Sequence, residues 1–168
     1  MEVFEAVRTL LAVRAYDDRP IAPEIVRRIA EAAHLTASSR NGQPWQFVVV
    51  QDRATLKRLG ELASTGPYVA NAPLAIAVAM EESQYNVSDV SRAIQSMMLT
   101  AWSEGIGSNW VGWLGMLDAV NPVLGLPPEL KLIAIVPFGY PAAKIGKGKK
   151  NRRPFNEVIH RERYGQSF

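Results

Sequence analysis

The chain of 168 residues contains no cysteine, which excludes disulfides, zinc–thiolate centres, thiol nucleophiles and iron–sulfur clusters together. Only His34 and His160 supply imidazoles, which argues against a multi-histidine metal centre and would oblige a Ser-His-Asp site to use one of the two. No apolar run approaches the roughly 18 residues that cross a bilayer, and the acidic opening Met1-Glu2-Val3-Phe4-Glu5 lacks the basic start of a signal peptide. The expectation is a cytoplasmic protein without a membrane partner. Internal repeats, low-complexity tracts and Pro/Gly/Ser-rich linkers are also missing, and the length is close to one domain of roughly 150 residues. Residues 1–168 are therefore expected to form a single domain, with no separate nucleotide-binding half.

What is present is an ordinary globular composition, 48% apolar and 21% charged, enough for a sizeable core. The net charge of +3 is unevenly spread, because residues 144–168 carry eight Lys or Arg against Glu157 and Glu162 alone. Such a cationic tail can hold a phosphate, a nucleic-acid backbone or an acidic partner. Within Lys147-Gly148-Lys149-Lys150-Asn151-Arg152-Arg153-Pro154 no aromatic is interleaved, which weighs against nucleic acid.

The apolar spacing predicts a helix over 2–13 and a second from Pro23, whose apolar face is Ile25, Ile29 and Ala33. Phe47–Val50 reads as a strand, Asp52 as the cap of a helix through Leu62, and Leu74–Ala79 as a central strand covered on both faces. The longest helix begins with Ser88 or Asp89 as its cap, carries Ile94, Met97, Met98, Ala101 and Trp102, and stops at Gly105. A strand over Ser108–Trp113, a helix over Leu117–Leu124, a strand over Leu132–Phe138 and a last helix from Pro154 through His160 complete the reading. These elements give an α+β or α/β layered domain with a mixed sheet. Met97, Met98 and Trp102 offer more apolar width than so small a sheet needs, which suggests a dimer interface.

Two further stretches can carry chemistry. Ala37-Ser38-Ser39-Arg40-Asn41-Gly42-Gln43-Pro44-Trp45 crowds hydroxyls and amides into one loop, able to serve a planar, acceptor-rich ligand or simply to cap and turn. Gly105–Gly115 is glycine-rich, but it has neither a phosphate-loop Lys-Ser/Thr nor the Gly-x-Gly-x-x-Gly spacing after a strand. Its glycines beside tryptophans fit either the close approach of a flat ring or a helix stop and core strand. His34 reads as a helix-terminal cation and Asp17-Asp18 as a turn. No acid–base pair stands out, so no catalytic side chain is assigned, and chemistry performed by a bound cofactor gains weight.

At this point the sequence resembles the FMN-dependent nitroreductase family. The resemblance is carried by Val13-Arg14-Ala15-Tyr16 with Asp18-Arg19-Pro20-Ile21, by Ser38-Ser39-Arg40-Asn41-Gly42-Gln43-Pro44-Trp45, by Gly105-Ile106-Gly107-Ser108, by Phe138-Gly139-Tyr140-Pro141 and by Arg152-Arg153-Pro154. It implies an α+β fold, a nitroreductase-like α/β sandwich whose mixed central sheet is flanked by helices, working as an intertwined homodimer with FMN at the subunit interface. Arg14 then matches the residue at the pyrimidine edge of the flavin, and Ser38, Ser39 and Asn41 the loop contributed by the second subunit. Gly112, Trp113, Leu114 and Gly115 match the segment along the ring, and Lys150 and Arg152 the phosphate-binding pair. The implied activity passes hydride from NAD(P)H through FMN to a small electron acceptor such as a nitroaromatic, a quinone or an activated alkene.

The sequence departs from the family at Leu10, Leu11 and Ala12, where members usually carry Arg-Arg-Ser or Arg-His-Ser to hold the phosphate. Two lost charge-assisted hydrogen bonds weaken FMN by roughly two orders of magnitude unless Arg8, Lys149 or Arg153 substitutes. That departure opens a second reading, a non-catalytic protein that binds or sequesters a flavin or deazaflavin.

Overall fold

The computed structural model describes residues 1–82, 85–112, 117–146 and 150–168. In chain order its elements are α1 (Val3–Thr9), α2 (Pro23–His34), β1 (Trp45–Val50), α3 (Arg53–Leu62), β2 (Leu74–Glu81), α4 (Asn86–Ser103), β3 (Gly107–Ser108), α5 (Asn121–Leu124) and β4 (Leu130–Gly139). Local chemistry sets several of these limits. Pro23 opens α2, and the Asp52 carboxylate accepts the Thr55 N–H at 2.8 Å to cap α3. Gly105, at φ +77°, ends α4: its N–H reaches the Trp102 carbonyl at 3.0 Å and the Ile106 N–H reaches Ala101 at 2.9 Å. That paired closure needs a residue without a Cβ penalty in the left-handed region.

The strands lie in the order β1-β2-β4-β3, each neighbouring pair antiparallel. A parallel component enters only through the bridge of Ala12 to Ser108, among the described residues. β2 is buried along seven consecutive positions because its two faces meet different layers. Leu74, Ile76, Val78 and Met80 pack with β4 residues against Val26, Ile29 and Ala33 of α2 and Val90, Ile94 and Met97 of α4. On the opposite face Ala75, Ala77 and Ala79 meet Leu56 and Leu59 of α3 with Val69, Val111 and Val120. The small side chains of that second face let its covering layer approach closely. The result is an α+β sandwich, and no helix of the described residues is long and apolar enough to cross a membrane.

Three elements differ from their sequence reading. α1 stops at Thr9 rather than running to Val13, because the chain turns extended at Leu10 and the Val13 N–H bonds to the Ser108 carbonyl at 2.9 Å. The strand read at Ser108–Trp113 shortens to β3 and a single bridge of Val111 to Ile135, with Trp113 outside the described residues. The helix read from Pro154 is one 3-10 turn, Phe155–Glu157, since residues 151–159 are all exposed and have no layer to pack against.

Candidate functional site

Arg14 is presented by a segment that is pinned at both ends. Val13 and Tyr16 are buried in a small cluster with Ala72, while Arg14 and Ala15 between them stay exposed. The Tyr16 hydroxyl donates to the Val13 carbonyl at 2.6 Å, closing the turn beneath Arg14. Burial pushes the Tyr16 phenol above its ordinary range, Tyr68 adds to that, and the Arg14 charge opposes it. Tyr16 therefore stays a donor at every physiological pH. On one side Val13 is tied to Ser108; on the other the Asp17 N–H reaches the Tyr140 carbonyl at 2.9 Å and the Ala142 N–H reaches that of Ala15 at 3.0 Å. Arg14 thus stands on a strip stitched between β3 and the chain leaving β4.

Beside this strip lies a crevice of about 230 Å³ lined by Leu11, Ala12, Arg14, Pro141, Ala143 and Ile145 among others. Pro141, Ala143 and Ile145 also line a larger crevice of about 480 Å³ that reaches Glu5 and Thr9 of α1 and Trp102 of α4. The two crevices share three lining residues, both are largely apolar, and the larger is of the size that takes a cofactor. Trp102 anchors its far wall by donating its indole N–H to the Thr9 hydroxyl at 2.9 Å.

The phosphate question turns on the end of α1. Leu11 and Ala12 are apolar walls of the cleft, so the positions where the family keeps its charged set contribute no donor side chain. The tail returns to fill the gap. Lys150 donates its amine to the Val7 carbonyl at 2.5 Å, and its pKa is held below the usual lysine value first by burial, then by the charges of Arg152 and Arg8. Arg8 is itself fixed by a two-point contact with Glu5, at 2.8 and 2.7 Å. Three cations therefore meet where α1 ends. Such a convergence of positive charge can attract an anion. Arg153 instead pairs with Glu157 at 3.2 Å, and Lys149 lies outside the described residues.

The loop of Ser38, Ser39 and Asn41 lies elsewhere. Its crevice of about 340 Å³ is lined by Ser39, Arg40, Gly42, Pro44, Tyr85, Asn86 and Asp89, and shares no residue with the cleft at Arg14. One protomer does not bring the two sets together. Gly112 adopts φ +82°, and a Cβ there would sit 2.5 Å from Leu117, so glycine is required by backbone and space alike. Its carbonyl accepts the Trp110 indole N–H at 2.6 Å. Trp113, Leu114 and Gly115 lie outside the described residues. Among the described residues no cluster of His, Asp or Glu could hold a metal.

A model of the nitroreductase family matches residues 11–86 and 66–140. The chain belongs to the nitroreductase family. It is 34% identical, over 97% of its own length and 99% of the relative's, to an Archaeoglobus fulgidus protein provisionally named NADH dehydrogenase/NAD(P)H nitroreductase. It is 27% identical to the NAD(P)H FMN reductase of Bacillus subtilis, covering 97% of this chain and 74% of that one. A solved structure from Bacteroides thetaiotaomicron, provisionally named in the same terms as the first relative, superposes with a TM-score of 0.88 at 28% identity, covering 96% of this chain and 98% of that one. The nitroreductase fold expected from the motifs is the fold found.

Asp89, which sequence reading assigned only to capping, lines the crevice of the Ser39–Gly42 loop. The helix begins at Asn86 with Tyr85 at its cap position, so Asp89 falls inside the first turn, 1% exposed, and bonds to Ser39. A signal was available. Asp89, Ala93 and Met97 recur at helical spacing on the buried stripe of α4, and a carboxylate on such a stripe needs a partner.

Proposed function

We propose that the chain is an NAD(P)H-dependent FMN oxidoreductase acting on small electron acceptors of the nitroaromatic, quinone or activated-alkene class. The observation that carries this reading is the pair of adjoining, largely apolar crevices that share Pro141, Ala143 and Ile145 and include Arg14, next to the end of α1 where Lys150 meets the Val7 carbonyl. A flat, apolar ligand with one anionic end matches that distribution, and FMN has that shape. The naming of the Bacillus subtilis relative for FMN and NAD(P)H supports the same assignment.

FMN, when bound, supplies a two-electron carrier that takes hydride from NAD(P)H and delivers it to the acceptor. The protein's part is binding and electrostatics. Lys150 and Arg152, with Arg8 in place of the family's N-terminal set, would hold the phosphate through charge-assisted hydrogen bonds. Arg14 would supply a fixed positive charge to the flavin, favouring the negative charge of its reduced form. By the family resemblance, Gly112 and the segment Trp113-Leu114-Gly115, which lies outside the described residues, would be the part of the chain that meets the ring. Leu11, Ala12, Pro141 and Ile145 exclude water. No protein acid or base is assigned.

The complete site needs two copies of the chain. Val3 and Phe4 on α1 are 74% and 69% exposed, and Tyr164 and Phe168 in the tail 93% and 74%, an apolar surface that a single protomer leaves in water. A homodimer covers it and places Ser38, Ser39 and Asn41 of one copy over the cleft of the other. The test is anaerobic mixing of FMN-loaded protein with NADH or NADPH. Loss of the oxidised-flavin absorbance on mixing supports the oxidoreductase; tight retention of flavin without that loss overturns it in favour of a binding or sequestering protein.

A further inference from the structure

The Ser38–Gln43 loop has an unfavourable backbone. Arg40, Asn41 and Gln43 take φ values of 53°, 55° and 46°, a region that glycine enters freely and other residues enter at a cost. Such a shape persists only where its surroundings dictate it. Part of the support is internal: the Gln43 N–H donates to the Ser38 hydroxyl at 2.9 Å, and the Gln43 side-chain amide lies 3.3 Å from the Asn41 side-chain oxygen. The rest comes from α4. Asp89 accepts the Ser39 N–H at 2.9 Å with one oxygen and the Ser39 hydroxyl at 3.0 Å with the other.

Asp89 is buried, and burial alone would raise its pKa. The two Ser39 donors and the Arg92 guanidinium, which pairs with it from the half-exposed next turn, outweigh that effect and hold it below the ordinary carboxylate range. An acid serving only the dipole of α4 would do so equally well from solvent. Enclosing it against a loop is favourable only because the loop supplies the donors.

We infer that Asp89 is a positioning residue which fixes the shape and hydrogen-bond polarity of the Ser38–Gln43 loop. The inference rests on the reading that this loop meets the flavin of a second copy. Ser39 commits its hydroxyl hydrogen to Asp89 and can only accept from a ligand. Ser38 accepts from Gln43 and keeps its hydrogen to donate. The loop thereby offers one donor and one acceptor hydroxyl side by side, instead of two freely rotating groups.

The test uses the full chain, with FMN dissociation constants from flavin-fluorescence titration and amide hydrogen exchange at residues 39–43 measured without flavin. Asp89→Leu removes both acceptors and is expected to speed exchange across the loop and weaken FMN by about tenfold to a hundredfold. Asp89→Asn, which retains one acceptor oxygen, is expected to fall between Asp89→Leu and wild type. Arg92→Ala removes one partner of the buried carboxylate but leaves both Ser39 bonds, and is expected to weaken FMN clearly less than Asp89→Leu. Should Asp89→Leu fail to fold, Ser39→Ala in the otherwise native chain reports the same clamp through loop exchange and a several-fold weaker FMN. Wild-type exchange and affinity in Asp89→Leu or Ser39→Ala overturn the inference, as does equal weakening by Arg92→Ala. If the wild-type chain binds no FMN, the flavin reading fails, and exchange at residues 39–43 still decides the clamp.

Discussion

Lys150 and Val7, 143 positions apart, are joined by a hydrogen bond of 2.5 Å from the side-chain amine to the main-chain carbonyl. The contact folds the cationic tail onto the last turn of α1, where unsatisfied carbonyls favour positive charge. In the proposed FMN site, Arg8 would join Lys150 and Arg152 in place of the charged set that Leu10, Leu11 and Ala12 do not supply. Arg8→Ala is expected to weaken FMN about tenfold and leave riboflavin, which has no phosphate, unchanged. Fluorescence titrations with the two ligands check this; equal losses for both would remove Arg8 from the phosphate site.

Arg14 is exposed between buried Val13 and Tyr16, so its side chain contributes little to the fold. Arg14→Ala should change stability by less than about 0.5 kcal/mol while lowering flavin affinity and slowing flavin reduction together. Stopped-flow reduction by NAD(P)H is the relevant measurement. Unchanged reduction kinetics with weakened binding would make Arg14 a binding residue only.

Gly107 lets the Arg14 strip approach the sheet. A Cβ at this position would stand 2.3 Å from Val13 Cγ2, closer than real side chains come. Gly107→Ala must therefore displace the strip, at a cost of about 1–3 kcal/mol, and should lower flavin affinity although the residue touches no ligand. Thermal unfolding followed by titration of the folded variant separates the two effects. Native affinity in a folded Gly107→Ala would show that Arg14 tolerates the shift.

Much of this arrangement was legible in order of residue type. Leu74–Ala79 and Leu132–Phe138 announced themselves as fully apolar runs because both faces of β2 and β4 are covered. Gly105 marked the end of α4 because only a left-handed residue closes that turn. The end of α1 was not legible: Val13 continues the helical spacing, and what draws it out is Ser108, a partner 95 positions away. Asp89 shows the same limit. Its place near a helix start suggested a cap, whereas its donors come from Ser39, 50 positions earlier. The tail failed for a different reason, because a helical pattern without a surface to pack on stays a single turn.

Asp52 gives a pH-dependent prediction. The Thr55 N–H and hydroxyl, each 2.8 Å from the carboxylate, hold its pKa below the ordinary value. A depressed native pKa means the cap contributes fully above the ordinary carboxylate range of about 4 and is lost as pH falls through the native value. Asp52→Ala should lower Tm by roughly 2–4 °C at neutral pH. Asp52→Asn, which can still cap, should retain most of that stability and show a shallower decline in Tm below about pH 4. Parallel acid limbs for the Asp52→Asn variant and the wild-type chain would assign the acid sensitivity to other carboxylates.

The proposed flavin site depends on association of two copies of the chain. Phe155 packs edge-on against Phe168 with ring centroids 5.7 Å apart, so the tail carries its own small apolar knot, yet both rings remain largely exposed. Val3 and Phe4 are exposed as well, and apolar surface of this kind costs free energy in water that the proposed dimer would recover by covering it. Sedimentation equilibrium is expected to give twice the 18.5 kDa chain mass. Phe4→Asp combined with Phe155→Asp should shift the protein to monomer and abolish tight FMN binding in the same step, because the Ser38–Asn41 loop then has no cleft to cover. A monomeric variant that still bound FMN at wild-type strength would mean one protomer supplies the whole site.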